Sequence, residues 1–169
     1  LYISEMEIEK IPINIKKSND PCYRYWMNSI KVKEENGCTE ISNLNQIAET
    51  LNYPPEILLQ FLSSQVSAKK IEPNKIKSLV ESKRLQNLLY TFIDEYKICS
   101  KCENPELKPN LDGKKLYNIC SSCMNISKID SNYKTTYNAI KNYLTNNKWP
   151  ESKGSLVDNK ENDDDLFND

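Results

Sequence analysis

The sequence predicts an α+β protein: a small α/β body, then a four-cysteine ribbon, then a C-terminal helix. Three observations predict it. Four of the six cysteines fall as two close pairs, Cys99/Cys102 and Cys120/Cys123. Apolar residues recur at three- and four-residue steps in four stretches, the period of a half-buried helix. Short runs that read as strands, broken by turn signals such as Asn36-Gly37, precede those helices or lie between them.

Taken in order, residues 1–20 read as a flexible arm. Charges there are interrupted by Pro12 and by Asn19-Asp20-Pro21, and one apolar run (Ile11, Ile13, Ile15) is able to pair as a strand. The α/β body is expected over 21–97. Ser29 to Lys33 is a strand, Glu34 to Gly37 a turn, and Cys38 to Ser42 a second strand. Asn43 or Ser42 is placed to cap a helix from Leu44 to about Leu51, with Ile47, Ala48 and Leu51 on one side. Pro54-Pro55 ends that helix and opens the next, because proline is tolerated in a first turn. The second helix carries Ile57, Leu58, Phe61 and Leu62. This pair suits either a helix–turn–helix or ordinary helix packing, and packing is the simpler expectation.

A hairpin is expected to turn at Glu72-Pro73-Asn74. The clearest helix follows, capped by Ser82 and running to about Tyr96, with Leu85, Leu88, Leu89, Phe92, Ile93 and Tyr96 on one face. Residues 98–150 hold the cysteine ribbon and a helix from about Ser131 to Thr145, marked by Tyr133, Tyr137, Ile140 and Leu144. From Trp149 onward the chain is too polar to offset ordering entropy, so 151–169 is expected to be a disordered acidic tail.

Charge is unevenly spread. The tail from Glu151 holds seven acids and two lysines, net −5, which against −1 for the whole chain leaves +4 for residues 1–150. A mildly basic body suits RNA contact without requiring it. No run of about 18 apolar residues exists, so no membrane partner is expected. The opening residues lack a signal-peptide pattern. The expected compartment is therefore the cytoplasm, where disulfides are not expected. With Leu1 first and the first methionine at Met6, the natural start is expected elsewhere.

Two thiolates two residues apart can take one edge of a tetrahedral zinc, and two such knuckles on a hairpin close it. Cys99, Cys102, Cys120 and Cys123 fit that scheme as a structural zinc site, since four thiolates leave no open position for water. Each knuckle needs a residue of positive φ after its second cysteine, and Asn104 and Asn125 are placed to supply it. Cys22 and Cys38 read as small buried thiols. The chain has no histidine and only three glycines, which excludes a Ser/His/Asp arrangement and a phosphate loop. A stand-alone enzyme is not expected.

Of the 23 cationic residues only Arg24 and Arg84 are arginine. An arginine kept where lysine is otherwise used marks a place that needs the planar fork. Arg24 stands between Tyr23 and Tyr25 and just before Trp26. Three readings follow: the rings dock the arm with Arg24 in a surface ion pair, the rings stack on RNA, or the guanidinium enters a partner's GTP site.

"DPCYRYWM", "IAETLNYPPE" and "LQNLLYTFIDEYKICSKCENPE" running into the cysteine ribbon together resemble the amino-terminal domain of eukaryotic translation initiation factor five, over roughly Ile13 to Pro150. The beta subunit of initiation factor two shares the body and ribbon but lacks the Tyr-Arg-Tyr element. The resemblance implies a body akin to initiation factor one, a bound structural zinc, and GTPase activation of initiation factor two in the scanning small-subunit complex. It makes Arg24 an arginine finger supplied in trans, with Tyr23 and Tyr25 in support. The partners it implies are the gamma and beta subunits of initiation factor two, the small ribosomal subunit with its rRNA, and the initiator tRNA. GTP is met only through the partner GTPase.

Departures from the family pattern bear on these expectations. Trp26 replaces a lysine after Tyr-Arg-Tyr, and Cys38 and Gln60 stand at two further lysine positions. These changes remove cations expected to face RNA or the GTPase. The family's carboxy-terminal helical-repeat domain is not in this sequence, so the chain is expected to be a fragment or a reduced form. Two alternatives remain open: a non-catalytic module bound at the ribosomal decoding region, or a scaffold of initiation factor two like its beta subunit.

Overall fold

The computed structural model of the chain describes residues 9–17, 19–130 and 132–151. Residues 1–8 of the expected arm, and the acidic tail beyond Glu151, lie outside the described residues. Strand β1 (Lys10–Pro12) pairs antiparallel with β2 (Trp26–Asn28), placing Ile11 opposite Met27. Residues 9–13 of the arm are therefore one side of a hairpin. Burial of Ile13 and Met27 holds it on the body. Pairing ends at Ile13, whose N–H donates to the Tyr25 carbonyl at 2.9 Å, and Ile15 falls in an exposed single turn of 3-10 helix, Ile15–Lys17.

β3 (Val32–Glu35) and β4 (Cys38–Ile41) form the next hairpin. Its two loop residues, Asn36 and Gly37, both have positive φ, at 50° and 75°, the turn whose twist matches paired strands. Thr39 and Ile41 of β4 are buried while their neighbours are half-exposed, the period-two pattern of a strand with one covered face. Two short strands, β5 (Lys70–Ile71) and β6 (Lys75–Ile76), complete a sheet in the order β3-β4-β6-β5. The expected turn over 72–74 lies between them.

Helices α1 (Leu44–Leu51), α2 (Pro55–Gln65) and α3 (Ser82–Tyr96) cover the sheet side of the core. α2 buries Ile57, Leu58, Leu59, Phe61 and Leu62 and packs on α1 and α3. It is a core helix, so the helix–turn–helix alternative falls. Two expected caps differ in mechanism. Asn43 occupies the cap position of α1 without capping it. Its side chain instead accepts from the Lys31 N–H at 3.0 Å and donates to the Ser29 carbonyl at 2.7 Å, pinning the β2–β3 connection. At α3 the cap position is Glu81, and Ser82 is already helical. α1 ends on Asn52 in the left-handed conformation, φ 56°, where asparagine strains little.

Strands β7 (Leu107–Asp112), β8 (Lys115–Cys120) and β9 (Ile126–Lys128) form the antiparallel ribbon. Gly113, at φ 61°, opens its two-residue turn. Helix α4 (Lys134–Asn146) then returns to pack on α2. The sequence places the onset of disorder at Trp149, and the structure overturns this. Trp149 is 5% exposed, its ring meets Tyr53 edge-on at 4.7 Å and Tyr143 at 5.5 Å, and its indole N–H donates to the Asn52 carbonyl. One indole supplies enough apolar area to order the chain past α4.

Candidate functional site

The ribbon brings Cys99, Cys102, Cys120 and Cys123 together, with all four Sγ atoms within 4.8 Å of one another. Cys99 lies 3.7 Å from Cys123 and Cys102 lies 3.6 Å from Cys120, sulfur to sulfur. Those separations are far longer than the roughly 2.05 Å of a disulfide. They match the spacing of about 3.8 Å that sulfurs adopt on a tetrahedral zinc with bonds of about 2.3 Å. The four cysteines could thus hold a metal ion such as zinc.

Both knuckles are built alike. The Glu103 N–H donates to the Cys99 carbonyl and the Met124 N–H to the Cys120 carbonyl, each at 2.9 Å. The Cys99 and Cys120 N–H groups donate in turn to the Asn104 and Asn125 carbonyls, each at 3.0 Å. Positive φ falls on Glu103, at 60°, and Met124, at 61°, one residue earlier than expected. Asn104 and Asn125 are not the turning residues. The sharp bend comes directly after the second cysteine, and the Asn104 amide is used to reach the Ser122 hydroxyl at 3.0 Å.

Without metal the thiols are unequal. Burial pushes the Cys99 thiol up, but N–H groups of Cys102 and Lys101 and the neighbouring thiols of Cys123 and Cys102 outweigh it, bringing the group down to about 7. Burial dominates at Cys120, which is pushed up to about 12.

Arg24 lies on the rim of a cleft of 480 Å³ between arm, body and ribbon, shared with Tyr25, Trp26, Lys97, Glu106 and Lys108. Its side chain is exposed and forms no ion pair or hydrogen bond among the described residues. Its aromatic neighbours are committed to the hairpin. Tyr23 meets Tyr25 and Trp26 edge-on, each at 5.8 Å, its hydroxyl accepts from the Asn14 N–H at 2.8 Å, and its carbonyl accepts from the Trp26 indole at 3.1 Å. Burial raises the Tyr23 hydroxyl above its ordinary range, and it raises Tyr25 with help from Glu106. Trp26 itself is 42% exposed.

Lys97 links cleft and ribbon. It is buried, its ammonium donates to the Leu107 carbonyl at 2.8 Å, and it lies over the Tyr53 ring at 5.7 Å. Burial lowers it to about 8, opposed by Glu106 and Cys120. A cation there balances thiolate charge.

Residues 15–126 match a family model described as a domain found in initiation factors 2B and 5. The chain belongs to that family. Its similarity to whole relatives is consistent with this. It is 34% identical over 138 residues to eukaryotic translation initiation factor 5 of Dictyostelium discoideum, covering 77% of this chain and 35% of the relative. Against the factor of Saccharomyces cerevisiae it is 31% identical over 141 residues, and against that of Mus musculus 30% over 142, again covering 77% of this chain. The chain spans about a third of the length of these relatives, at 33% to 35%. Membership makes it a domain of the translation initiation factor family.

Within this family framework the structure gathers the four cysteines and puts Arg24 among the residues lining a cleft that also includes Ser121 of the second knuckle. Of the three altered lysine positions, Trp26 lines that cleft, whereas Cys38 and Gln60 are not among its lining residues. Cys38 is half-buried at the head of β4, and Gln60 accepts from the Thr136 hydroxyl at 2.9 Å. Cys22, expected as a buried thiol, is exposed. Among the described residues no helix is long and apolar enough to cross a membrane. Sequence reasoning missed Asn14, Lys97 and Glu103. A lysine two residues before a knuckle cysteine was the signal available for Lys97, while nothing local marked the other two.

Proposed function

We propose that this domain activates GTP hydrolysis by initiation factor two in the small-subunit preinitiation complex, with Arg24 as the group supplied in trans. The observation that carries the reading is the guanidinium of Arg24, without an ion pair or hydrogen bond among the described residues and exposed on a hairpin whose Tyr23 ring and hydroxyl are spent on holding its shape. Family membership and the sequence resemblance supply the partner. A guanidinium entering a GTP site neutralises charge that grows on the phosphate oxygens, and its planar fork meets two of them at once. Tyr23 and Tyr25 support it by fixing the hairpin. Lysine at position 24 would carry the charge without the fork.

The rest of the reading follows from the same account. Zinc held by Cys99, Cys102, Cys120 and Cys123 is structural and keeps the ribbon folded. The division of the chain is an arm to residue 20, a body over 21–97, and a ribbon with its helix over 98–150. The partners are the gamma and beta subunits of initiation factor two, the small ribosomal subunit and the initiator tRNA, and the compartment is the cytoplasm. Single-turnover GTP hydrolysis in a reconstituted initiation complex tests the reading. Arg24→Lys slows hydrolysis if it holds, and equal rates for the two proteins remove the finger role.

A further inference from the structure

We propose that the first cysteine knuckle anchors the Arg24 arm, and that Asn14 is the positioning residue that makes the connection. Asn14 is 6% exposed, which is unusual for an asparagine in an arm, and all four of its polar groups are used, its carbonyl accepting from the Lys17 N–H at 3.1 Å. Its Nδ2 donates to the Glu103 carbonyl at 3.2 Å, its Oδ1 accepts from the Lys16 N–H at 3.1 Å, and its own N–H donates to the Tyr23 hydroxyl at 2.8 Å. Glu103 is the residue at φ 60° that closes the turn holding Cys99 and Cys102 together. A continuous path therefore runs from the thiolates through the Glu103 carbonyl and the Asn14 amide to Tyr23, the neighbour of Arg24.

The Lys17–Glu103 ion pair, at 2.9 Å, joins the same two segments. Both of its side chains are about half exposed, so solvent screening leaves it little weight and the buried amide carries the link. A glutamate in the left-handed region is strained, and such a turn persists where its surroundings over-determine it. Ligation through Cys99 and Cys102 does so. Metal loss relaxes the turn, withdraws the carbonyl from Asn14 and loosens the Tyr23 side of the hairpin. The consequence for GTP hydrolysis rests on the proposed function above, whereas the anchoring itself does not.

Amide hydrogen exchange on the zinc-loaded chain tests the anchor. Asn14→Ala should speed exchange at Ile13 and at residue 14 about three- to tenfold, the range one hydrogen bond supports. Protection at Leu89 and Phe92 in α3 and the zinc content should stay unchanged. Asn14→Asp, which keeps the acceptor and removes the Nδ2 donor, should act in the same direction. A zinc chelator should open the same arm amides in the unsubstituted chain and add little in Asn14→Ala. Unchanged arm exchange in both Asn14 variants overturns the anchor, as does an arm indifferent to chelation while the ribbon amides open. Should chelation strip protection from α3 as well, the zinc-loaded Asn14 comparison decides alone. If Arg24→Lys leaves hydrolysis unchanged but the exchange pattern holds, the GTPase reading fails and the anchor stands. If hydrolysis needs Arg24 but arm exchange ignores Asn14, the anchor fails and the reading stands.

Discussion

Trp149 donates its indole N–H to the main-chain carbonyl of Asn52 at 2.9 Å, across 97 residues. That bond ties the segment after α4 to the end of α1. It lands on a carbonyl at the left-handed end of a helix, where acceptors lack intrahelical partners. Trp149→Ala should destabilise the fold by about 3–5 kcal/mol, the usual cost of emptying a buried aromatic site. Trp149→Phe should cost only about 1 kcal/mol, since most ring packing survives and one hydrogen bond is lost. Urea unfolding followed by far-UV circular dichroism measures both.

Asn43 offers a second check. Its side chain holds Lys31 and Ser29 rather than the helix it precedes. Asn43→Ala should cost about 1–3 kcal/mol through groups left unpaired at a buried site. Asn43→Ser, a competent helix cap, should rescue little of it. Full rescue by serine would mean that capping, after all, is what the residue does.

Gln60→Lys probes a departure from the family pattern. Thr136 is 1% exposed and its hydroxyl donates to the Gln60 side chain. Lysine has no acceptor, so the substitution should lower stability by roughly 1–2 kcal/mol. A cation there comes at that cost in this chain. Thermal melts of Gln60→Lys and Gln60→Glu separate the lost acceptor from the changed charge, because glutamate retains one.

Metal content gives the fourth. The chain should carry one zinc, bound with the release of protons from its thiols. Cys120→Ser should abolish stoichiometric binding and expose the ribbon to protease between Ile98 and Ile129. The body, whose ring cluster of Phe61, Phe92 and Tyr53 is built on α2, α3 and the α1–α2 link and is distinct from the cluster of Cys99, Leu107 and Cys120, should keep its helical signal. Elemental analysis with limited proteolysis reads both outcomes.

These relationships differ in how far the sequence exposes them. α1 was legible to the residue because Leu44, Ile47, Ala48 and Leu51 repeat at helical spacing and Pro54-Pro55 punctuates its end. The cysteine quartet was legible because metal geometry dictates its spacing. Trp149 was not, since its partners are brought near only by the return of α4. The Asn14–Glu103 contact spans 89 residues and carries no local pattern at either end. The knuckle bends were misplaced by one residue because asparagine's tolerance of positive φ pointed to Asn104 and Asn125. The thiolate turn imposes that conformation on glutamate and methionine instead.

The position of Arg24 in an assembled initiation complex trapped with a GTP transition-state analogue tests the central claim most directly. The account predicts its guanidinium within hydrogen-bonding distance of the oxygens that mimic the transferred phosphate. A guanidinium still resting at its own cleft beside Glu106 and Lys108, remote from the nucleotide in every such complex, would contradict it.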